Sequence, residues 1–121
     1  MLLGCTVTIE QGAGYLAGFS DQEFEAAGAK IIPPNNVEAW KEAEIVLCVN
    51  APEQKSLSML SKESILIGLL SPYQNNSLAE SLKKGNLSAI SLELLPRISR
   101  AQSADALSSQ ANIAGYKAVL I

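Results

Sequence analysis

Short β-branched or apolar runs alternate along this chain with short helices that carry their own start and stop signals, and that alternation leaves few folds open. Parallel strands need crossovers of roughly a dozen residues or more, and helices in those crossovers lie against the sheet. Cys5 to Ile9 reads as the first strand, and Leu2 and Leu3 before Gly4 read as the last turn of a helix with its stop, so an upstream helix is expected. Ser20 with Glu23 has capping-box spacing for a helix through Ala27, stopped by Gly28, and Lys30 to Ile32 forms the next strand. Asn35 with Glu38 has the spacing to cap the helix carrying Trp40, and Glu44 to Val49 reads as a buried strand. Pro52 suits the first turn of another helix. Ser64 to Leu69 is a strand, Ser77 with Glu80 caps a helix closed by Gly85, and Leu87 to Leu92 is the fifth strand. All five strands are expected to run in one direction.

A last helix is expected from about Ser103, its apolar residues Leu107, Ala111, Ala114, Ala118 and Ile121 stepping by three and four along one stripe. Its other face carries Asp105, Ser108, Ser109, Asn112 and Tyr116. Solvated helix faces usually hold Lys and Glu, so small hydroxyls and amides there point to a cleft or a second domain. Such residues are also mediocre helix formers, which plain exposure would tolerate. No stop signal follows Tyr116, so a further element is expected downstream.

Composition narrows the function. Twelve acidic and nine basic residues are scattered singly, for a net charge of -3, which leaves no basic stripe to follow a phosphate backbone and argues against nucleic acid as partner. No apolar run approaches the ~20 residues that span a bilayer. Cys5 and Cys48 lie in apolar runs without C-x-x-C spacing and are expected to be buried and reduced. The chain has no histidine, so the commonest metal ligand and general base is missing, and no metal site is expected.

Four segments could bind a small molecule. Gly12, Gly14 and Ala17 (GAGYLA) fit the G-x-G-x-x-A form of the dinucleotide fingerprint, but Gly18 interrupts the helix that should follow and the second strand runs into Pro33 and Pro34 without an acidic residue for a ribose. A plain loop is the better reading. Pro72 to Gln74 and Asn50 to Pro52 follow strands at the carboxyl edge, where open α/β sheets place ligands, and an ordinary connecting loop explains them equally well. Arg97 and Arg100 follow Pro96 at the same edge, ahead of Gln102 and Asp105. Arginine offers paired planar donors for carboxamide, carboxylate or phosphate, although two solvated arginines before a helix would also account for the segment.

The run PRISRAQSADALSSQANIAGYKAV resembles the signature of the NAD-binding portion, alpha subunit or domain I, of proton-translocating nicotinamide nucleotide transhydrogenases. QGAGYLAGFSD, AWKEAEIVL, LIGLLSPYQN and LELLPRISRAQ stand in the family's order along nearly the whole chain. Alanine dehydrogenases share the architecture and the GAG and AGF pieces, but not RISRAQS. Ala104 departs from the pattern, which has a larger apolar residue such as methionine, and looser packing beneath the loop is expected.

The resemblance implies an incomplete, open parallel-sheet α/β domain, Rossmann or flavodoxin-like with three layers, ending in a long inter-domain helix. Residues 1–102 would be the partial N-terminal α/β domain, and residues 103–121 the start of a helix linking to an absent NAD-binding Rossmann domain. It implies NAD(H) contacts from Arg97, Ser99, Arg100, Gln102, Asp105 and Ser108. Arg97 and Asp105 would fix the carboxamide and ribose region with Ser108 in support, Gln102 would face NADP(H) on another domain, and Gln102 with Asp105 would lie nearest the hydride step. The implied reaction is direct hydride transfer between NADH and NADP+ coupled to proton translocation, which needs no acid or base at the hydride step. Implied partners are the membrane domain and the NADP-binding domain or beta subunit, with a homodimer in the full-length form, placing the protein in the cytoplasm, peripheral to the inner membrane. The chain alone is expected to be inactive. A non-catalytic binding or interaction module that keeps the fold, or an alanine-dehydrogenase-like amino acid oxidoreductase, are the other readings.

Overall fold

The computed structural model describes residues 4–120. The chain divides into two compact units, Met1–Glu42 and Ala43–Ile121. The helix end expected at Leu2 and Leu3 lies outside the described residues, while Gly4 has the left-handed φ of +66° expected of a helix-stopping glycine.

The first unit pairs β1 (Thr8–Glu10) in parallel with β2 (Lys30–Ile32), with Thr8 opposite Lys30. The connection carries a single 3-10 turn at Tyr15–Ala17 and helix α1 (Asp21–Ala26). Ser20 and Glu23 form the expected capping box: the Glu23 amide donates to Ser20 Oγ at 3.3 Å and the Ser20 amide donates to Glu23 Oε2 at 2.7 Å. These bonds hold the Glu23 carboxyl below its usual range. Helix α2 (Val37–Glu42) is capped by Asn36, whose Oδ1 accepts from the Ala39 amide at 3.0 Å. The sequence favoured Asn35, but that residue sits at φ +59° and donates its amide to Glu10 Oε1 at 3.1 Å. The same oxygen accepts from Trp40 Nε1 at 3.4 Å, so one carboxylate ties the end of β1 to the β2–α2 turn and to the only tryptophan.

The second unit is a three-stranded parallel sheet in the order β3 (Ile45–Asn50), β4 (Ile65–Leu69), β5 (Ser88–Ser91). Parallel pairing in both units agrees with the alternation read from sequence. Its crossovers carry α3 (Gln54–Leu57) and α4 (Asn76–Gly85). Leu57 of α3 and Leu78 of α4 pack on Leu66 and Leu70 to form the buried core, with Val46, Cys48, Leu60, Leu82 and Leu87 around it. Burying a leucine fully is worth about 2 to 3 kcal/mol, so four of them hold this sheet to its helices. The alternate residues Ile45, Leu47, Val49 and Ile90 are exposed, so β3 is covered on one face where its sequence reads as buried on both.

Asn75, rather than Ser77, caps α4, its Oδ1 accepting from the Leu78 amide at 3.0 Å and from Ser77 Oγ at 2.8 Å. The left-handed stop falls on Asn86, at φ +53°, one residue past the expected Gly85. Cys48 is half-buried, and desolvation raises its thiol pKa. Cys5 is exposed, contrary to its apolar setting in sequence. Past β5 the chain makes a 3-10 turn at Leu92–Leu94, a second 3-10 segment at Ser99–Ala104, and helix α5 (Ala106–Val119). The helix therefore starts three residues later than the stripe suggested. Asp105, expected on its polar face, is its N-cap. Its expected apolar stripe is exposed at Ala111, Ala114 and Ala118. Among the described residues no helix is long and apolar enough to cross a membrane.

Candidate functional site

The GAGYLA segment is a self-contained loop, as its sequence context favoured. Gly12 takes φ +77° and donates its amide to Asp21 Oδ1 at 2.8 Å. The amides of Ala13, Tyr15, Ala17, Gly18 and Phe19 donate to backbone carbonyls of the same loop and of Glu10. Amides committed internally beside a carboxylate do not make an anion cradle. Gly14 is needed for packing: a Cβ there would lie 2.4 Å from the Phe24 ring and 2.9 Å from Phe19 Cβ.

The carboxyl edge of the three-stranded sheet is different. Beyond β4, Leu69, Ser71, Pro72, Tyr73 and Gln74 line an open depression of about 270 Å³ with Glu93 and Leu107. Tyr73 is 85% exposed, so its ring is available to a ligand. Ser71 takes φ +47°, which a non-glycine residue holds only when its surroundings enforce it. Glu93, on the 92–94 turn, does so. Its carboxylate accepts from the Leu70 amide at 3.2 Å, from the Ser71 amide in a short hydrogen bond, and from Ser91 Oγ at 2.5 Å. Desolvation pushes the Glu93 carboxyl upward, but the hydrogen bonds from the Ser91 hydroxyl and the Glu93, Ser71 and Leu70 amides outweigh it and hold it below the usual value. Sequence reasoning missed Glu93. A lone acidic residue inside LSAISLELLP was the available signal.

The 97–108 segment brings some of its expected residues together and leaves others apart. Asp105 Oδ1 accepts the amides of Leu107 and Ser108 at 3.1 Å each, and Oδ2 accepts the Ser108 hydroxyl at 2.5 Å. The Ser108 hydroxyl, then its amide, lower the Asp105 pKa against a desolvation effect, with help from the Arg97 charge and the Leu107 amide. Asp105 and Ser108 are thus hydrogen-bonded at the start of α5, with the Arg97 charge near enough to help lower the Asp105 pKa. Ser99, Arg100 and Gln102 lie on the exposed 3-10 segment, where the Gln102 carbonyl accepts from the Asp105 amide at 3.3 Å. Ala104 is exposed, so no packing beneath the loop depends on it.

Parallel strands with helices in their crossovers define an α/β domain, and its carboxyl edge, where such sheets place ligands, carries an open depression, a clamped loop and a charged helix start. The profile of the alanine dehydrogenase/PNT N-terminal domain family matches residues 1–114, and the chain belongs to that family. The NAD(P) transhydrogenase subunit alpha of Cereibacter sphaeroides is 43% identical over 118 residues, 98% of this chain and 22% of that subunit. The crystal structure of transhydrogenase from Sinorhizobium meliloti superimposes with a TM-score of 0.89 at 39% identity, over 98% of this chain and 35% of that one. An L-alanine dehydrogenase structure follows at a TM-score of 0.66 and 36% identity, over 74% of this chain and 24% of that one. The chain therefore spans well under half the length of these relatives.

Proposed function

We propose that this chain forms part of a proton-translocating NAD(P) transhydrogenase and supplies one wall of its NAD(H) site. The observation that carries the reading is the Arg97, Asp105 and Ser108 group at the start of α5, in a chain that matches transhydrogenase alpha subunits along nearly its whole length. The alanine dehydrogenase likeness is weaker, with a lower TM-score in the structures and 29% against 43% identity in sequence, which favours the transhydrogenase reading.

The donor set suits a nicotinamide dinucleotide. A carboxamide has one acceptor oxygen and two donor hydrogens, and the Arg97 guanidinium supplies donors for the first. The Ser108 hydroxyl, having donated to Asp105, keeps its lone pairs for the second. The floor of the depression, with Leu69, Pro72, Tyr73 and Leu107, suits a flat ring. Nicotinamide supplies the hydride when bound, and the residues of this chain supply position and charge. Arg97 and Asp105 orient the carboxamide and ribose end; Ser99 and Arg100 add polar contacts from the 3-10 segment. Gln102, exposed next to them, faces the domain that brings NADP(H). The 97–105 segment then acts as a hinge, with α5 leading toward a second, dinucleotide-binding domain. Partners are the membrane domain and the NADP-binding domain or beta subunit, with a homodimeric full-length form held at the cytoplasmic face of the inner membrane.

The test is hydride transfer from NADH to an NADP+ analogue in a full-length alpha subunit carrying these residues. Arg97→Ala is expected to slow transfer by at least tenfold, about 1.4 kcal/mol or more of lost stabilisation. An unchanged rate would remove Arg97 from the site.

A further inference from the structure

Leu70 and Ser71 lie just past the end of β4, and Ser71 is bent into the left-handed region. Both amides donate to the Glu93 carboxylate, which also accepts the Ser91 hydroxyl at 2.5 Å, and Leu70 itself is almost fully buried. The hydrogen-bond path continues from there. The Ser71 carbonyl accepts from the Gln74 amide at 2.9 Å and the Asn75 amide at 3.0 Å, and Asn75 in turn caps α4. Tyr73 and Gln74, which line the depression, are carried on the turn between these anchors. Hydrogen bonds to an ionised acceptor are the strong ones, and here three converge on one side chain.

We infer that Glu93 is a positioning residue: by clamping Leu70 and Ser71 it fixes the wall that Tyr73 and Gln74 present to the dinucleotide. The inference rests on the NAD(H) reading for the identity of the ligand, while the clamp can be observed without any ligand. A neutral amide in place of the carboxylate has one acceptor atom for three donors, so Glu93→Gln leaves at least one backbone amide short of its partner at nearly constant volume. Glu80, on the exposed side of α4, carries the same charge and hydrogen-bonds to none of these groups, so Glu80→Gln is the control for charge alone.

The experiment uses the isotopically labelled 121-residue chain, its wild-type form and the Glu93→Gln, Ser91→Ala and Glu80→Gln variants, followed by amide NMR during acid titration and during addition of NADH to millimolar levels. In the wild type the Leu70 and Ser71 amides should titrate together with one carboxylate, below the ordinary glutamate range. That transition should vanish in Glu93→Gln. NADH should shift Tyr73, Gln74, Asp105 and Ser108. Glu93→Gln should weaken binding roughly tenfold and lose the Tyr73 and Gln74 shifts while the Asp105 and Ser108 shifts persist. Ser91→Ala should give a smaller loss and Glu80→Gln none.

Unchanged affinity and unchanged Tyr73 and Gln74 shifts in Glu93→Gln, with the wild type binding, would overturn the positioning role and leave the NAD(H) reading intact. An equal loss in Glu80→Gln would overturn it in favour of a general charge effect. Absence of any NADH-induced shift in the wild type would overturn both readings, whereas the amide titration would still report the clamp. A spectrum of Glu93→Gln collapsed to unfolded dispersion while Ser91→Ala binds as wild type would count against the positioning role as well, since the residue would then act through global stability.

Discussion

Gly68→Ala should be the most damaging single-methyl change in the second unit, and its cost can be worked from the register of the sheet. Gly68 lies opposite Cys48 on β3 and Ser91 on β5. A Cβ added there would sit 2.2 Å from the Cys48 carbonyl oxygen and 2.6 Å from its Sγ, against a floor of 3.0 Å for real Cβ contacts. The nearest atom belongs to the backbone, so no rotamer change relieves the clash. Either β3 and β4 move apart by close to an ångström or the ladder between them distorts. Overpacking a core side chain costs about 1 to 3 kcal/mol, and a backbone clash belongs at or above the top of that range. For a domain with only about 5 to 15 kcal/mol in total, that is a large fraction. Because β4 delivers the Leu70–Asn75 loop, the depression should be disturbed too. The assay is urea denaturation followed by far-UV circular dichroism, on Gly68→Ala alone and with Cys48→Ala. The double variant removes Sγ but keeps the carbonyl, so it should recover little. Full rescue by Cys48→Ala, or an unshifted midpoint in Gly68→Ala, would refute the reasoning.

The isolated 121-residue chain should bind NADH only in the millimolar range, about -4 kcal/mol, because an open depression of this size encloses little of a dinucleotide; a low-micromolar constant from Trp40 fluorescence would contradict that. Ser20→Ala should cost about 1 kcal/mol, measured as a lower urea midpoint, because it opens the capping box of α1. For Glu93 the folded pKa lies below the ordinary 4.5, so its contribution to stability is complete above that value and is lost as pH falls through the lower folded one. Urea midpoints should therefore fall in acid less steeply for Glu93→Gln than for wild type, and parallel curves would contradict it. In the full-length subunit Asp105→Asn should slow hydride transfer several-fold while leaving the melting temperature nearly unchanged, as calorimetry can check.

Local signals in the sequence located most of the fold because a parallel α/β body is built from strands and caps that are nearly self-sufficient. Lys30 to Ile32, the Ser20–Glu23 box and the glycine stop at Gly28 were all legible. The misplacements have local physical causes. Asn35 and Asn36 are adjacent and chemically identical, and which one caps is decided by the Glu10 carboxylate holding the Asn35 amide, a contact across 25 positions. Asn75 outranks Ser77 because its own amide is anchored to Ser71. For the candidate site, the residue types in RISRAQS pointed to the segment that leads into α5, and the helix start was placed three residues early. Glu93 stayed hidden because its amide partners lie 22 and 23 positions away, and only the pairing of β4 with β5 brings them within reach.

On the proposed reading Asp105 has two tasks, capping α5 and holding the nucleotide, and its two oxygens divide them. Oδ1 accepts two helix amides, Leu107 and Ser108, and has no further capacity. Among the described residues Oδ2 accepts only the Ser108 hydroxyl, so in the proposed site one lone pair, the carboxylate charge and the nearby Arg97 would meet the ligand. Alanine at this position would remove the cap and the charge together, so a loss of activity could come from a frayed α5. Asparagine caps a helix as well as aspartate does, keeps the Oδ1 bonds, and turns the Oδ2 position into a donor toward Ser108. The Ser108 hydroxyl then becomes an acceptor there, and its remaining lone pair and proton meet the ligand in the reverse sense. A site that reads a carboxamide through Ser108 and Arg97 therefore feels Asp105→Asn in its hydrogen-bond pattern as well as its charge, while the fold around it stays put. That separation makes position 105 the sharpest place to distinguish a residue that builds the helix from one that holds the nucleotide.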